Sequence, residues 1–166
     1  MSWRDRRAVL AGLAASGLVA ACRVEPAFGP QAPARKLVGQ VHVAPIGGGR
    51  EGLWTRQAIE RRLGSAGEDA PYRLTVALSF TVESMGVSLV NAATRNRYLG
   101  TATFTLTDAT GRVLASGTEE NIASYDATGT TQANAAAGDD ALRRLSEALG
   151  DQIATRLILS AGDWAA

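Results

Sequence analysis

The sequence predicts an α+β fold, a mixed and largely antiparallel four-stranded sheet with two helices packed on one face, in the order β-α-β-β-β-α. Two observations carry this. Three segments in the middle of the chain alternate apolar and polar residues with period two, as half-buried strands do. Two other segments repeat their apolar residues at helical spacing, and each needs an apolar surface to lie on. No internal repeat interrupts the pattern, and 166 residues suffice for a single domain over 37–166.

The elements follow in order. Leu37, Gly39, Val41 and Val43 share one face of a first strand, which Pro45 and Gly47 to Gly49 end. The stretch GGGREG lacks the spacing of a phosphate loop and reads as a turn. A helix follows over about 51–63, with Trp54, Ala58, Ile59 and Leu63 at helical spacing and Gly64 as its stop. After a polar loop, Tyr72 to Val82 alternates strictly: Tyr72, Leu74, Val76, Leu78, Phe80 and Val82 face one way, and Arg73, Thr75, Ala77, Ser79 and Thr81 the other. The pattern softens over 84–93. A second long strand, Arg97 to Asp108, sets Tyr98, Ala102, Phe104 and Leu106 against Thr101, Thr103, Thr105 and Thr107. Threonine is β-branched and suits a strand surface in polar surroundings. Asp108 to Gly111 is a turn, so 97–125 reads as a hairpin. From about Gln132 to Leu159, Leu142, Leu145, Leu149, Ile153 and Leu157 form one stripe, with Gly162 as a stop.

The N-terminus is of another kind. Arg4, Arg6 and Arg7 precede 14 uncharged residues, Ala8 to Ala21, too few to span a bilayer, which takes roughly 20. A basic start, a short apolar centre and small residues at the end describe a secretory signal peptide over 1–21. Arg6-Arg7 also admits the twin-arginine route. The chain's one cysteine, Cys22, comes next, and Leu18-Val19-Ala20-Ala21-Cys22 resembles the bacterial lipobox. The types fit the chemistry. A thiol takes the diacylglycerol, and small side chains admit the peptidase that cuts between Ala21 and Cys22. The freed amine takes a further acyl chain, and two or more chains anchor stably where one does not. Arg23 follows, not the aspartate that commonly retains lipoproteins in the inner membrane of enteric-type bacteria, so the expected location is the outer membrane, facing the periplasm. Residues 22–36, with Pro26, Pro30 and Pro33, read as the lipidated end and an extended tether.

Loss of residues 1–21 removes three arginines and one aspartate, leaving a mature net charge of −1. A nucleic-acid binder is expected to be strongly basic, so that class is set aside. His42 is the only histidine, and its position between Val41 and Val43 reads as a surface or edge residue. With Cys22 taken by lipid, a zinc site has too few ligands. Glu119-Glu120 and Asp139-Asp140 are adjacent, and adjacent residues point apart. No nucleophile, base or hydrolase motif forms a set, so no enzyme, metal or cofactor is expected. Arginines remain. Arg95 and Arg97 flank the turn into the long hairpin, where a planar, many-donor fork could meet phosphate.

The lipobox, "VEPAFGP" after it, "YRLTVALSF", "RYLGTATFTLTD", "YDATGT" and "LGDQIATRL" together resemble the LPS-assembly lipoprotein family LptE, in its alphaproteobacterial-type branch. Arg23, Val24 and Phe28 stand where relatives usually carry Gly, Phe and Tyr. The resemblance implies two helices on a mixed four-stranded sheet. It implies a lipoprotein that binds and plugs the LptD β-barrel translocon, aids its assembly and contacts lipopolysaccharide on its way to the outer leaflet. Such contact needs basic tips, and Arg95 and Arg97 are the expected lipopolysaccharide contacts by their position at a loop tip, not by a motif match. The other readings are an auxiliary lipoprotein of a periplasmic lipid or ABC-type transport system, a cell-wall hydrolase and a structural envelope lipoprotein.

Overall fold

The computed structural model describes residue 29 and residues 32–87, 93–127 and 129–164. The signal segment, Cys22 and most of the tether lie outside them. A 3-10 turn, Pro33–Leu37, leads to strand β1 (Val41–Val43) and helix α1 (Arg50–Leu63). Three long strands follow, β2 (Tyr72–Val87), β3 (Ala93–Asp108) and β4 (Val113–Asp126), and then helix α2 (Thr131–Trp164). The sheet order is β1-β2-β3-β4, with β1 parallel to β2 and the other pairs antiparallel. This is the element order that the periodicity predicts and the mixed sheet that the resemblance implies.

The predicted faces are correct. Leu74, Ala102, Phe104 and Leu106 point to the helical side and are fully buried or nearly so. They meet Leu145, Leu149, Ile153 and Leu157 of α2, four of the five residues in the predicted stripe. Leu142, the fifth, is half-buried. α2 packs along β4 and β3, and α1 lies beside α2 on the β1 side. The helices run parallel: Arg50 meets Asp139, the Thr55 hydroxyl donates to the Ser146 carbonyl at 3.1 Å, and Arg62 reaches Thr155. Gly150 lets them close together. A Cβ there would stand 2.6 Å from the Thr55 carbonyl oxygen. Only a residue without a side chain fits this approach.

Several boundaries differ from expectation. The first strand is only three residues, because Leu37 turns into the core from the 3-10 turn and is fully buried there. Ala32 and Ala34 are buried as well, so the packed body begins inside the segment read as a tether. The strand β2 continues to Val87 and β3 starts at Ala93, paired in register at Met85 with Arg95 and Val87 with Ala93. Cross-strand bonding continues where the side-chain alternation fades. Gly162 does not stop α2, which runs to Trp164. The Trp164 ring packs edge-on to Tyr72 with centroids 5.6 Å apart.

Candidate docking surface

Both helices lie on one side of the sheet, so among the described residues no layer covers the odd-numbered residues of β2 from Arg73 to Met85 and of β3 from Arg95 to Thr107. The register arranges this open face in cross-strand rows. Thr75, Thr105 and Ser116 form one row; Ala77, Thr103 and Thr118 the next; Ser79, Thr101 and Glu120 the third. Thr81, Leu99 and Ile122 follow, then Glu83, Arg97 and Ser124, and finally Met85, Arg95 and Asp126. The face therefore carries three zones along the strands. The first is hydroxyl-rich, with Arg73 before it and Glu120 at its far end, the second is a small apolar island, and the third is charged.

In the first zone the hydroxyls bond one another and the backbone. Thr103 Oγ1 and Thr118 Oγ1 are 3.3 Å apart, and the Thr75 hydroxyl donates to the Thr105 carbonyl at 3.3 Å. Such hydroxyls make the surface polar and keep donors and acceptors for a wet partner. The apolar island lines a shallow cavity of about 500 Å³ with Leu99, Thr101, Glu120 and Ile122. Ile122 is 54% exposed.

The third zone contains the predicted arginines. They lie at one end of the sheet, as expected, but within β3 and not at a loop tip. The structure gives each an acid partner across the strand. Arg97 donates through Nε to Glu83 Oε2 at 2.8 Å and through Nη2 at 2.6 Å. Arg95 Nε lies 3.2 Å from Asp126 Oδ1. Their positive charge is compensated locally, though each guanidinium keeps further N–H donors. Sequence reasoning missed these partners because Glu83 and Asp126 are distant in the chain and meet the arginines only through the register. The apolar island was missed too. Ile122 alone breaks the polar run TEENIAS, and nothing in the sequence places Leu99 opposite it.

Other candidate residues have structural roles. His42 is a correction: it is 6% exposed, not a surface residue, and its Nδ1 lies 3.2 Å from the Ala66 carbonyl. The loop after α1 folds back over it, and a three-residue strand walled on both faces leaves no exposed side. Glu119 and Glu120 do point apart. Glu119 faces α2, largely buried, 3.6 Å from Arg156 Nη1, and Glu120 faces outward. Asp139 pairs with Arg50 at 3.0 Å and Asp140 with Arg144 at 3.1 Å. The Asp108 carboxylate accepts from the Thr110 hydroxyl at 2.6 Å and from the Thr110 and Arg112 backbone N–H groups. These bonds, the Thr110 hydroxyl first, lower its pKa to about 2. They fix the β3–β4 turn. Burial, with help from Tyr125 stacked at 5.7 Å, raises the Tyr98 pKa and keeps the phenol neutral. Among the described residues, no three His, Cys, Asp or Glu side chains converge as a metal site, and no helix is long and apolar enough to cross a membrane.

This arrangement can bind and position but shows no reactive set. Residues 38–157 match the family described as LptE, lipopolysaccharide-assembly. The chain belongs to the LptE family. That family is one of non-enzymatic lipoproteins, and its membership places the chain in lipopolysaccharide assembly. Solved structures share the fold. A Caulobacter crescentus protein assigned as a lipoprotein aligns with a TM-score of 0.62 at 22% identity, over 80% of this chain and 97% of its own. A minor lipoprotein from Acinetobacter baumannii gives 0.54 at 17%, over 76% and 95%. Lipoprotein B from Nitrosomonas europaea gives 0.52 at 13%, over 74% and 83%. No curated protein sequence matches the chain. An LptE-family domain thus presents one helix-covered and one open sheet face.

Proposed function

We propose that the chain is an outer-membrane lipoprotein, cleaved between Ala21 and Cys22 and anchored through acyl chains on Cys22, that binds and plugs the LptD β-barrel. In that position it aids assembly of the barrel and delivery of lipopolysaccharide to the outer leaflet. The observation that carries this reading is the open face of β2, β3 and β4. The lumen of a large barrel is polar, and a stretch of threonine and serine hydroxyls, bounded by Arg73 and Glu120, suits it. A strongly charged face would need counter-charges, and an apolar one would need lipid. The charged end of the face, Arg95 and Arg97 beside the Leu99–Ile122 island, has the mixed chemistry of a phosphorylated amphiphile's contact. Exchange of a carboxylate partner for a phosphate on the same guanidinium is chemically conservative.

An affinity pull-down of the tagged full-length lipoprotein from gently solubilised outer membranes tests this. The expected result is co-purification of a large β-barrel with a periplasmic domain. Recovery of transporter subunits alone would support the auxiliary transport reading instead. Cys22→Ser is expected to shift the protein from the membrane to the soluble fraction, because the thiol is the site of the first lipid.

A further inference from the structure

The strand β1 covers only the start of β2. Their register ends at Val43 with Leu74, and the last bond runs from the Ala44 N–H to the Leu74 carbonyl at 2.9 Å. The chain then leaves through Pro45 toward α1. Tyr72 and Leu74 turn their backbone groups toward β1. By the period of two, Val76, Leu78, Phe80, Val82 and Ser84 turn theirs the same way. Among the described residues, nothing bonds to this edge beyond Leu74.

Natural sheets protect such edges with charge, proline or irregularity. The other edge of this sheet does so. β4 carries Glu119, Glu120 and Asp126, and its pairing with β3 slips between Leu106 and Thr107. The β2 edge is bare. From Leu74 to Val82 it holds no charged residue and no proline, and Glu83, which follows, is neutralised by Arg97. Its helix-side residues Val76, Leu78 and Phe80 are only half-buried, and Val82 is 54% exposed.

We infer that this edge receives an extended segment of the barrel partner as an added strand. This rests on the reading that the chain docks a β-barrel protein. The edge specifies the segment: uncharged along its middle, free of proline where it pairs, and apolar at alternate positions so that it covers Val76 to Val82 on the helix side. A second copy of this chain does not fit. Strands lie about 4.8 Å apart, whereas a helix with its side chains is about 10 Å across. The helix α1 lies on the β1 side of the helical layer, and a two-fold β2–β2 ladder would bring the second copy's α1 into the same space. Pairing of β2 with the β4 edge of another copy meets the acidic guards there. A bare strand brings no helix and is free of both obstacles.

The test uses the full-length lipoprotein and the same pull-down with two substitutions. Val82→Lys places a charge at the exposed end of the edge, and Val82→Thr keeps a neutral, β-branched residue. Val82→Thr is expected to recover the barrel like the wild type, and Val82→Lys to recover about tenfold less or lower, since an added strand would bury the ammonium. The two proteins should melt alike. A benzoylphenylalanine at Thr81, on the open face beside the edge, should cross-link to an extended segment of the barrel. Equal recovery with Val82→Lys, or a Thr81 cross-link to a second copy, overturns the inference while leaving the docking reading intact. Absence of the barrel from the wild-type pull-down overturns both.

Discussion

The two faces of the sheet are built from the same strands, one residue in two, and yet differ in almost every physical respect. On the helical face Leu74, Ala102, Phe104 and Leu106 are closed off by α2 and the side chains beneath α1. On the open face their immediate neighbours Thr75, Thr101, Thr103 and Thr105 meet solvent or each other. One face stabilises the domain, because burial of apolar area is the main favourable term in folding. The other contributes little to stability and is available for contact. Stability and docking are thereby separated by a single step along the chain.

The largest effect that sharpens this contrast is expected on the covered face. Leu149 of α2 is fully buried against the sheet. Leu149→Ala should cost about 2–5 kcal/mol, read as a lowered denaturation midpoint at unchanged slope. Gly150→Val comes next. It drives a side chain into the Thr55 carbonyl, and overpacking costs typically about 1–3 kcal/mol. On the open face, Ile122→Ala should cost less than about 1 kcal/mol, since half of that side chain already meets water. A cost equal to that of Leu149→Ala would break the comparison.

Replacement of Arg95 and Arg97 together by alanine should change stability by less than about 1 kcal/mol per ion pair, because exposed pairs contribute little. The same variant should weaken lipopolysaccharide binding by the full-length protein, measured with labelled lipopolysaccharide. Unchanged binding would remove these arginines from the contact. The smallest effect concerns pH. The folded Asp108 pKa is lowered to about 2, so its contribution is present above the ordinary carboxylate value near about 4 and is lost as pH falls toward 2. Asp108→Asn should flatten the acid decline of the thermal midpoint across that window.

Much of this contrast is legible in the residues themselves. Strict alternation from Tyr72 to Val82 assigns each side chain to a face before any partner is known, since successive strand residues point oppositely. The stripe from Leu145 to Leu157 fixes which side of α2 lies on the sheet. Other features depend on contacts far apart in sequence. Leu37 reads as a strand residue by its period, yet sits in a 3-10 turn because α2 supplies a pocket there. His42 becomes buried only when the loop at Ala66 folds back. Gly138 and Gly150 look like weaknesses in a helix, and they prove to be points of close approach to Tyr125 and to α1.

The sequence alone determined the class of fold, the two faces of the sheet and the distinct character of the N-terminus, because these follow from local periodicity and composition. The tertiary structure alone decided what the open face contains. The register sets Thr103 beside Thr118 and Leu99 beside Ile122, pairs Arg97 with Glu83, and among the described residues leaves the outer edge of β2 beyond Leu74 without a strand partner. Strand pairing joins residues by position across space, and no period within one strand encodes which residue of another will stand opposite it.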